Sequence, residues 1–367
     1  MNDPLKVCRA RHRFGLGDFI TRDQSSIEGG PIPAGAGATV FVTAFRRRSY
    51  LLEAARSAVR GGSNFPISLV VATDFVDPHI DRQLETMGAV VLHPRSSRLG
   101  EWILEARSHF QGEIVAFLDD DDLFVPGKIE AVYHRFQARG DLLYLHNAHR
   151  VFSEGDRMPT FHAPARSMLR KVEVFSQPDQ RTIEGLWNLG VAFNHSSITI
   201  RRGLLDRLTA ELGEMRSSFG PLFFFGSLVE YGAVGFDHTI WTLVRRHSLN
   251  SSDWSAGGRR PKWERRFRLL KDRQAEVDAI LRMVESKGAE LWTGPLRRSH
   301  ARQEMMRGWV SIDLPIRRRL RDIFKWMRVA AWQDSRTDPD LLLGAIMNVV
   351  LPFPIFTKIF PFDPSLG

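Results

Sequence analysis

Apolar residues recur along this chain in two alternating rhythms. TVFVTAF (39–45), ISLVVAT (67–73), AVVLH (89–93) and EIVAFL (113–118) are runs of strand length, rich in β-branched residues. Between the first two, Leu51, Leu52, Ala55, Ala58 and Val59 share one face at helical spacing. A polar helix is predicted near 77–87 and another over roughly 99–110, and Ile129, Val132, Tyr133 and Phe136 mark a helical face after the fourth run. Buried strands alternating with helices at this spacing predict an α/β fold with a doubly wound, mostly parallel sheet. Beyond Gly140 the rhythm loosens. DLLYLHNAHRVF (141–152) and SSITIRR (196–202) read as strands, 153–190 as an irregular insertion, and GPLFFFGSLVEYGAVGF (220–236) as a helix.

Three parts follow from the same pattern. Residues 1–38, ending in the Gly- and Pro-rich QSSIEGGPIPAGAGA, read as a flexible N-terminal segment. Residues 39–256 hold the strand and helix alternation. From 257 to 367 the chain turns basic and helical with no further strand pattern, and no repeat of solenoid period is visible.

The segment that carries chemistry is EIVAFLDDDDLFVPGKIE (113–130), where an apolar strand runs straight into Asp119, Asp120, Asp121 and Asp122, followed by Pro126 and a helix. In open α/β sheets ligands bind beyond the carboxyl ends of strands. Oxygen ligands there suit hard Mg²⁺ or Mn²⁺, which would bridge the phosphates of a nucleotide diphosphate and neutralise the leaving group. An acidic run before a helix can equally be a solvated turn or an N-cap. Four carboxylates after a buried strand are, however, costly to hold without a cation.

This segment resembles the family-2 glycosyltransferases of the GT-A fold, whose pattern is a strand, Asp-x-Asp-Asp, a short apolar step and Pro. Other stretches fall in the family's order over roughly 39–252: TAF with SYLLEAARSAV (49–59), Thr73-Asp74, SSRLGEWILEAR (96–107), NHSSITIRRGLL (194–205) and RRHSLNSS (245–252). The resemblance implies that Thr43, Ala44 and Phe45 lie at the nucleobase with Asp74, and that Arg98 reaches the nucleotide. It implies that Asp119 and Asp120 face the donor, Asp120 toward the ribose, and that Asp121, Asp122 and His247 hold the metal, with Arg245 or Arg246 adding charge. Inverting members use a carboxylate opening a helix as general base; here Gly220 and Pro221 stand in that place. Glu214 and Glu230 are the nearest carboxylates in sequence. The implied activity is metal-dependent sugar transfer from a nucleotide-diphosphate donor, a UDP-sugar by preference, with inversion. A GT-A protein that only binds a nucleotide sugar or a partner glycosyltransferase is the alternative that the missing acid leaves open.

Composition changes the picture in two respects. At 367 residues and 43% hydrophobic content a large core is available, and a single cysteine, Cys8, leaves no internal disulfide. The formal charge of +9 favours anionic partners, yet no nucleic-acid-binding motif is visible. Part of that charge lies in a basic amphipathic segment, IRRRLRDIFKWMRVAAW (316–332), followed by an apolar tail over 341–361 interrupted by Asn348, Pro352, Pro354 and Lys358. The pair reads as an association with an anionic membrane surface or as packing on the domain. With no secretory signal at the N-terminus, a cytoplasmic protein, peripheral at the membrane face, is expected, with a glycan or lipid-linked acceptor.

Overall fold

The computed structural model describes residues 37–59, 65–154, 171–247 and 259–300. The expected N-terminal segment to residue 36, the basic segment 316–332 and the apolar tail 341–361 lie outside the described residues.

The four apolar runs form β1 (Ala38–Ala44), β2 (Ile67–Thr73), β3 (Ala89–Leu92) and β4 (Ile114–Asp119), with β1 pairing in parallel with both β2 and β4, and β2 with β3. The chain therefore winds outward from β1 to β3 and returns to the other side of β1 as β4. This reversal opens a crevice at the carboxyl ends of β1 and β4. Alternation along β1 feeds two cores: Phe41 joins one apolar cluster, while Val40 and Val42 join the other with α1 (Leu51–Val59) and α4 (Lys128–Ala138). Between them lie α2 (Pro78–Thr86), capped by the Asp77 carboxylate accepting from His79 and Ile80, and α3 (Leu99–Ala106).

The second half of the sheet is mixed. In the order β3-β2-β1-β4-β8-β6-β9-β5, strand β8 (Ile198–Arg201) is antiparallel to β4 and to β6 (Leu142–Ser153). Strand β6 runs parallel to β9 (Ala233–Arg246), which also pairs with the short β5 (Leu123–Phe124). Two expectations are corrected. The stretch read as an irregular insertion contains β7 (Val172–Ser176), antiparallel to β9, and α5 (Gln180–Asn188), capped by Asp179 and burying Ile183 and Leu186. The helix read over 220–236 stops as α8 (Gly220–Val229), and the chain turns at Tyr231 (φ 58°) into β9. Gly232 is required at that turn because a Cβ there would sit 2.3 Å from Leu143 Cγ.

All ten residues of α8 are buried. It is covered by the short α6 (Gly203–Arg207) and α7 (Thr209–Leu212) and by α9 (Arg259–Ser286), whose Val277, Ile280, Met283 and Val284 belong to the same apolar cluster.

Candidate active site

Asp119 closes the β1–β4 ladder opposite Thr43, and the Asp120 N–H donates to the Thr43 carbonyl (3.1 Å). The Asp122 N–H then donates to the Asp119 carbonyl (3.2 Å), folding four successive aspartates into one turn at the mouth of the crevice. Carboxylate oxygens of Asp119, Asp121 and Asp122 all lie within 4.8 Å of one another. Asp121 and Asp122 are buried, and Asp119 is partly exposed.

Side chains from distant segments hold this turn. Ser196, just ahead of β8, accepts from the Asp119 N–H at its hydroxyl (3.0 Å), and its carbonyl accepts from Lys128 Nζ (2.6 Å) and Thr242 (2.8 Å). The backbone N–H of Arg245 donates to Asp122 Oδ1 (3.0 Å), while its guanidinium donates to the Asp121 carbonyl and to Glu53. Arg47 donates from Nε and Nη2 to the two oxygens of Asp120 (3.1 and 2.6 Å), and its Nη1 lies 2.7 Å from Asp121 Oδ2. His247 Nε2 stands 3.0 Å from the same Asp121 oxygen.

Electrostatics follow from this crowding. Burial pushes the Asp122 carboxyl well above the usual carboxylate range, with the charges of Asp121 and Asp119 adding. Burial likewise raises Asp121, against the pull of Arg47, and takes Asp120 to about 7 despite the Arg47 hydrogen bonds. Asp119 is pressed upward by burial, but His195, Arg47 and Thr43 outweigh it and hold the group below its ordinary value. Buried carboxylates raised by one another are stabilised by a cation, and three hard oxygen donors in one turn fit Mg²⁺ or Mn²⁺.

The turn lies within a recognised sequence unit. Residues 39–209 match the model of glycosyl transferase family 2. Residues 39–209 are thus a family 2 glycosyltransferase domain. Two solved structures are similar to it. TarS 1–349 of S. aureus, in complex with UDP-GlcNAc, is 14% identical, with 82% of this chain and 94% of that one covered at a TM-score of 0.46. The mannosyltransferase PcManGT of Pyrobaculum calidifontis, in complex with GDP-Man and Mn²⁺, is 14% identical, with 88% and 83% covered at a TM-score of 0.48. No curated protein sequence matches the chain.

The structure brings some of the expected residues together and parts others. Thr43 donates to Asp119 Oδ1 (3.4 Å), and Asp74 accepts from the Arg46 N–H (2.6 Å) in the loop after β1. Ala44 is buried at the end of β1, and Phe45 beside it is half exposed with the Arg46 guanidinium over its ring. His247, expected at the metal, lies with Nε2 3.0 Å from Asp121 Oδ2; 248–252 lie outside the described residues. Asp120, expected toward the ribose, accepts from Arg47 at both oxygens, and Asp119, expected to face the donor, lies with Asp121 and Asp122. Arg98, expected at the nucleotide, precedes α3 and donates to the Gly213 carbonyl (3.0 Å). The two base candidates are engaged elsewhere. Glu214 pairs with Arg282 of α9, and Glu230 sits at the C-terminal end of α8 with Arg207 and Lys287.

Three residues at the site were not singled out by sequence reasoning: Arg47, Lys128 and His195. Lys128 is fully buried, and burial pulls its ammonium well below the usual lysine range while Asp122 opposes the shift. His195 stacks on Phe219 with ring centres 4.0 Å apart, its Nδ1 3.6 Å from Asp119 Oδ1 and its Nε2 3.3 Å from the Ser218 hydroxyl. It thus occupies the space between the aspartate turn and the start of α8. The glycine there has a steric cause: a Cβ at Gly220 would lie 2.3 Å from the Ala192 carbonyl oxygen. The chain that delivers His195 leaves no room for a side chain at Gly220.

Proposed function

We propose that this chain transfers a sugar from a nucleotide-diphosphate donor, a UDP-sugar by preference, to a hydroxyl or phosphate of a glycan or lipid-linked acceptor, with inversion. The observation that carries the reading is the aspartate turn itself, three carboxylates gathered at the switch point between β1 and β4 of a family 2 domain. Asp121, with Asp119 and Asp122 beside it and His247 behind, would hold Mn²⁺ or Mg²⁺. A bound divalent ion supplies charge neutralisation for the departing diphosphate. The chain's own residues do the rest. Thr43, Phe45 and Asp74 line the base side at the ends of β1 and β2, and the rigid turn orients the donor.

On the acceptor side His195 is the titratable group packed where the family's acid would be sought. In this reading the acceptor oxygen bonds to the anomeric carbon, the anomeric bond to the diphosphate breaks, and the acceptor proton passes to His195 Nε2. Contact with Asp119 through Nδ1 sets the imidazole for that role. Among the described residues no helix is long and apolar enough to cross a membrane. Peripheral attachment at the cytoplasmic membrane face rests on the sequence of 316–332 and 341–361.

A second reading, a donor-binding protein without turnover, draws on the same Gly220 contact and on the engagement of Glu214 and Glu230 elsewhere. Release of nucleoside diphosphate from UDP- and GDP-sugars with Mn²⁺ separates the two. Turnover supports transfer, and binding without turnover supports the second reading.

A further inference from the structure

Arg47 follows a residue in the left-handed region, Arg46 (φ 62°), whose N–H is fixed by Asp74 Oδ1 at 2.6 Å. That turn directs the Arg47 side chain across the mouth of the crevice onto the aspartates. Its two edges are used differently. The Nε and Nη2 edge forms a fork on both oxygens of Asp120, which is 2% exposed. Nη1 faces Asp121 Oδ2 (2.7 Å) and His247 Nε2 (3.4 Å).

The two aspartates therefore have separate duties. Asp120 contributes no oxygen to the group formed by Asp119, Asp121 and Asp122, and serves as the anchor of a guanidinium. Asp121 Oδ2 belongs to that group and already accepts from Arg47. A divalent ion on Asp121 and the Nη1 edge of Arg47 claim the same oxygen, and two cations at such separation repel unless an anion lies between them. A diphosphate is such an anion, and the Nη1 edge can donate to a phosphate oxygen as it does to a carboxylate while the fork stays on Asp120.

Resting on the donor-site reading above, we propose that Arg47 is an exchangeable counter-ion of the donor site: anchored on Asp120, it neutralises Asp121 until a divalent ion takes that oxygen, and then binds the donor diphosphate. Metal and diphosphate are thereby linked, each favouring the other through one side chain.

The test measures two affinities on the full chain: Mn²⁺ alone, by electron paramagnetic resonance of the free ion, and UDP or GDP at saturating Mn²⁺, by calorimetry. Arg47→Ala is expected to bind Mn²⁺ alone about 10-fold tighter, because its competitor is gone, and the nucleotide about 10-fold or more weaker, because a charged phosphate contact is lost. Arg47→Lys keeps the charge without the fork and should fall between wild type and Arg47→Ala in both measurements; it also serves if the alanine variant does not fold. Mn²⁺ affinity that is unchanged or weaker, or nucleotide affinity that is unchanged, overturns the proposal. Wild-type protein that binds neither nucleotide with Mn²⁺ overturns the donor-site reading along with it. Wild-type binding matched by both variants overturns only the role of Arg47.

Discussion

At the scale of single residues, the aspartates were legible because they are contiguous and follow an apolar strand. Their individual contacts were not. Which carboxylate meets Arg47, and which joins the oxygen cluster, is decided by side chains 73 or more positions away in sequence, such as the Arg47–Asp120 pair. Arg47 had one local signal, its place in a basic triplet directly after the first strand; His195 had only its position ahead of a strand that pairs with β4. If His195 accepts the acceptor proton, His195→Ala should lower kcat by about 100-fold or more. Donor affinity should change little, a split that steady-state kinetics and calorimetry read directly. Equal losses in kcat and donor binding would assign His195 to holding Asp119 instead. The glycine beside it is a packing requirement, so Gly220→Ala should cost about 1–3 kcal/mol in denaturant unfolding. A variant as stable as wild type would show that α8 does not press on Ala192 as described.

At the scale of elements, β1 to β4 and their helices were legible since each is a clean apolar run or a one-sided helix. The later elements were obscured by context. VEVFS and QRTIEGLWN are short and lie in a polar stretch, and β7 exists because β9 offers it an edge. Strand β9 was hidden by its neighbour: the apolar run of α8 continues past Glu230 without a proline, and the break is made by a positive-φ turn at Tyr231. Strand β6 carries a consequence for stability. Its His146 is fully buried, stacked near Phe236, with Nε2 donating to the Phe193 carbonyl (2.8 Å) and Nδ1 without a partner among the described residues. Burial, with the charges of His149 and Lys128, lowers this imidazole to about 3, while the unfolded chain takes up a proton near 6.5. Between those values the unfolded state binds more protons, so stability is full above about pH 6.5 and falls as pH drops toward 3, by about 1.4 kcal/mol per pH unit. His146→Gln keeps a donor for Phe193 and removes the titration. Its unfolding free energy between pH 7 and 5 should fall less steeply than that of wild type, and parallel slopes would contradict the assignment.

At the scale of the whole molecule, a basic chain carries a locally acidic site. The formal charge of +9 sits against a turn of four carboxylates, two of which the Arg47 guanidinium meets directly. Composition sets the region after 257 apart, and its first helix still contributes to the site's support. Glu276 of α9 accepts from the backbone N–H groups of Arg216 (2.8 Å), Ser217 and Ser218 (3.1 Å), the loop that brings Ser218 to His195. No periodicity in the sequence could show this contact, because a carboxylate meeting three backbone N–H groups leaves no pattern at its own position. The fold class was legible from strand and helix rhythm. The coupling of α9 to the surroundings of His195 required the structure. The central claim, that the aspartate turn is the donor site of a working transferase, is tested most directly by nucleoside diphosphate release from a UDP-sugar with and without Mn²⁺, in wild type and Asp121→Ala. The account predicts Mn²⁺-dependent release by wild type and at least a 100-fold loss in a folded Asp121→Ala protein. Turnover by Asp121→Ala at the wild-type rate, or release by wild type that is indifferent to Mn²⁺, would contradict it.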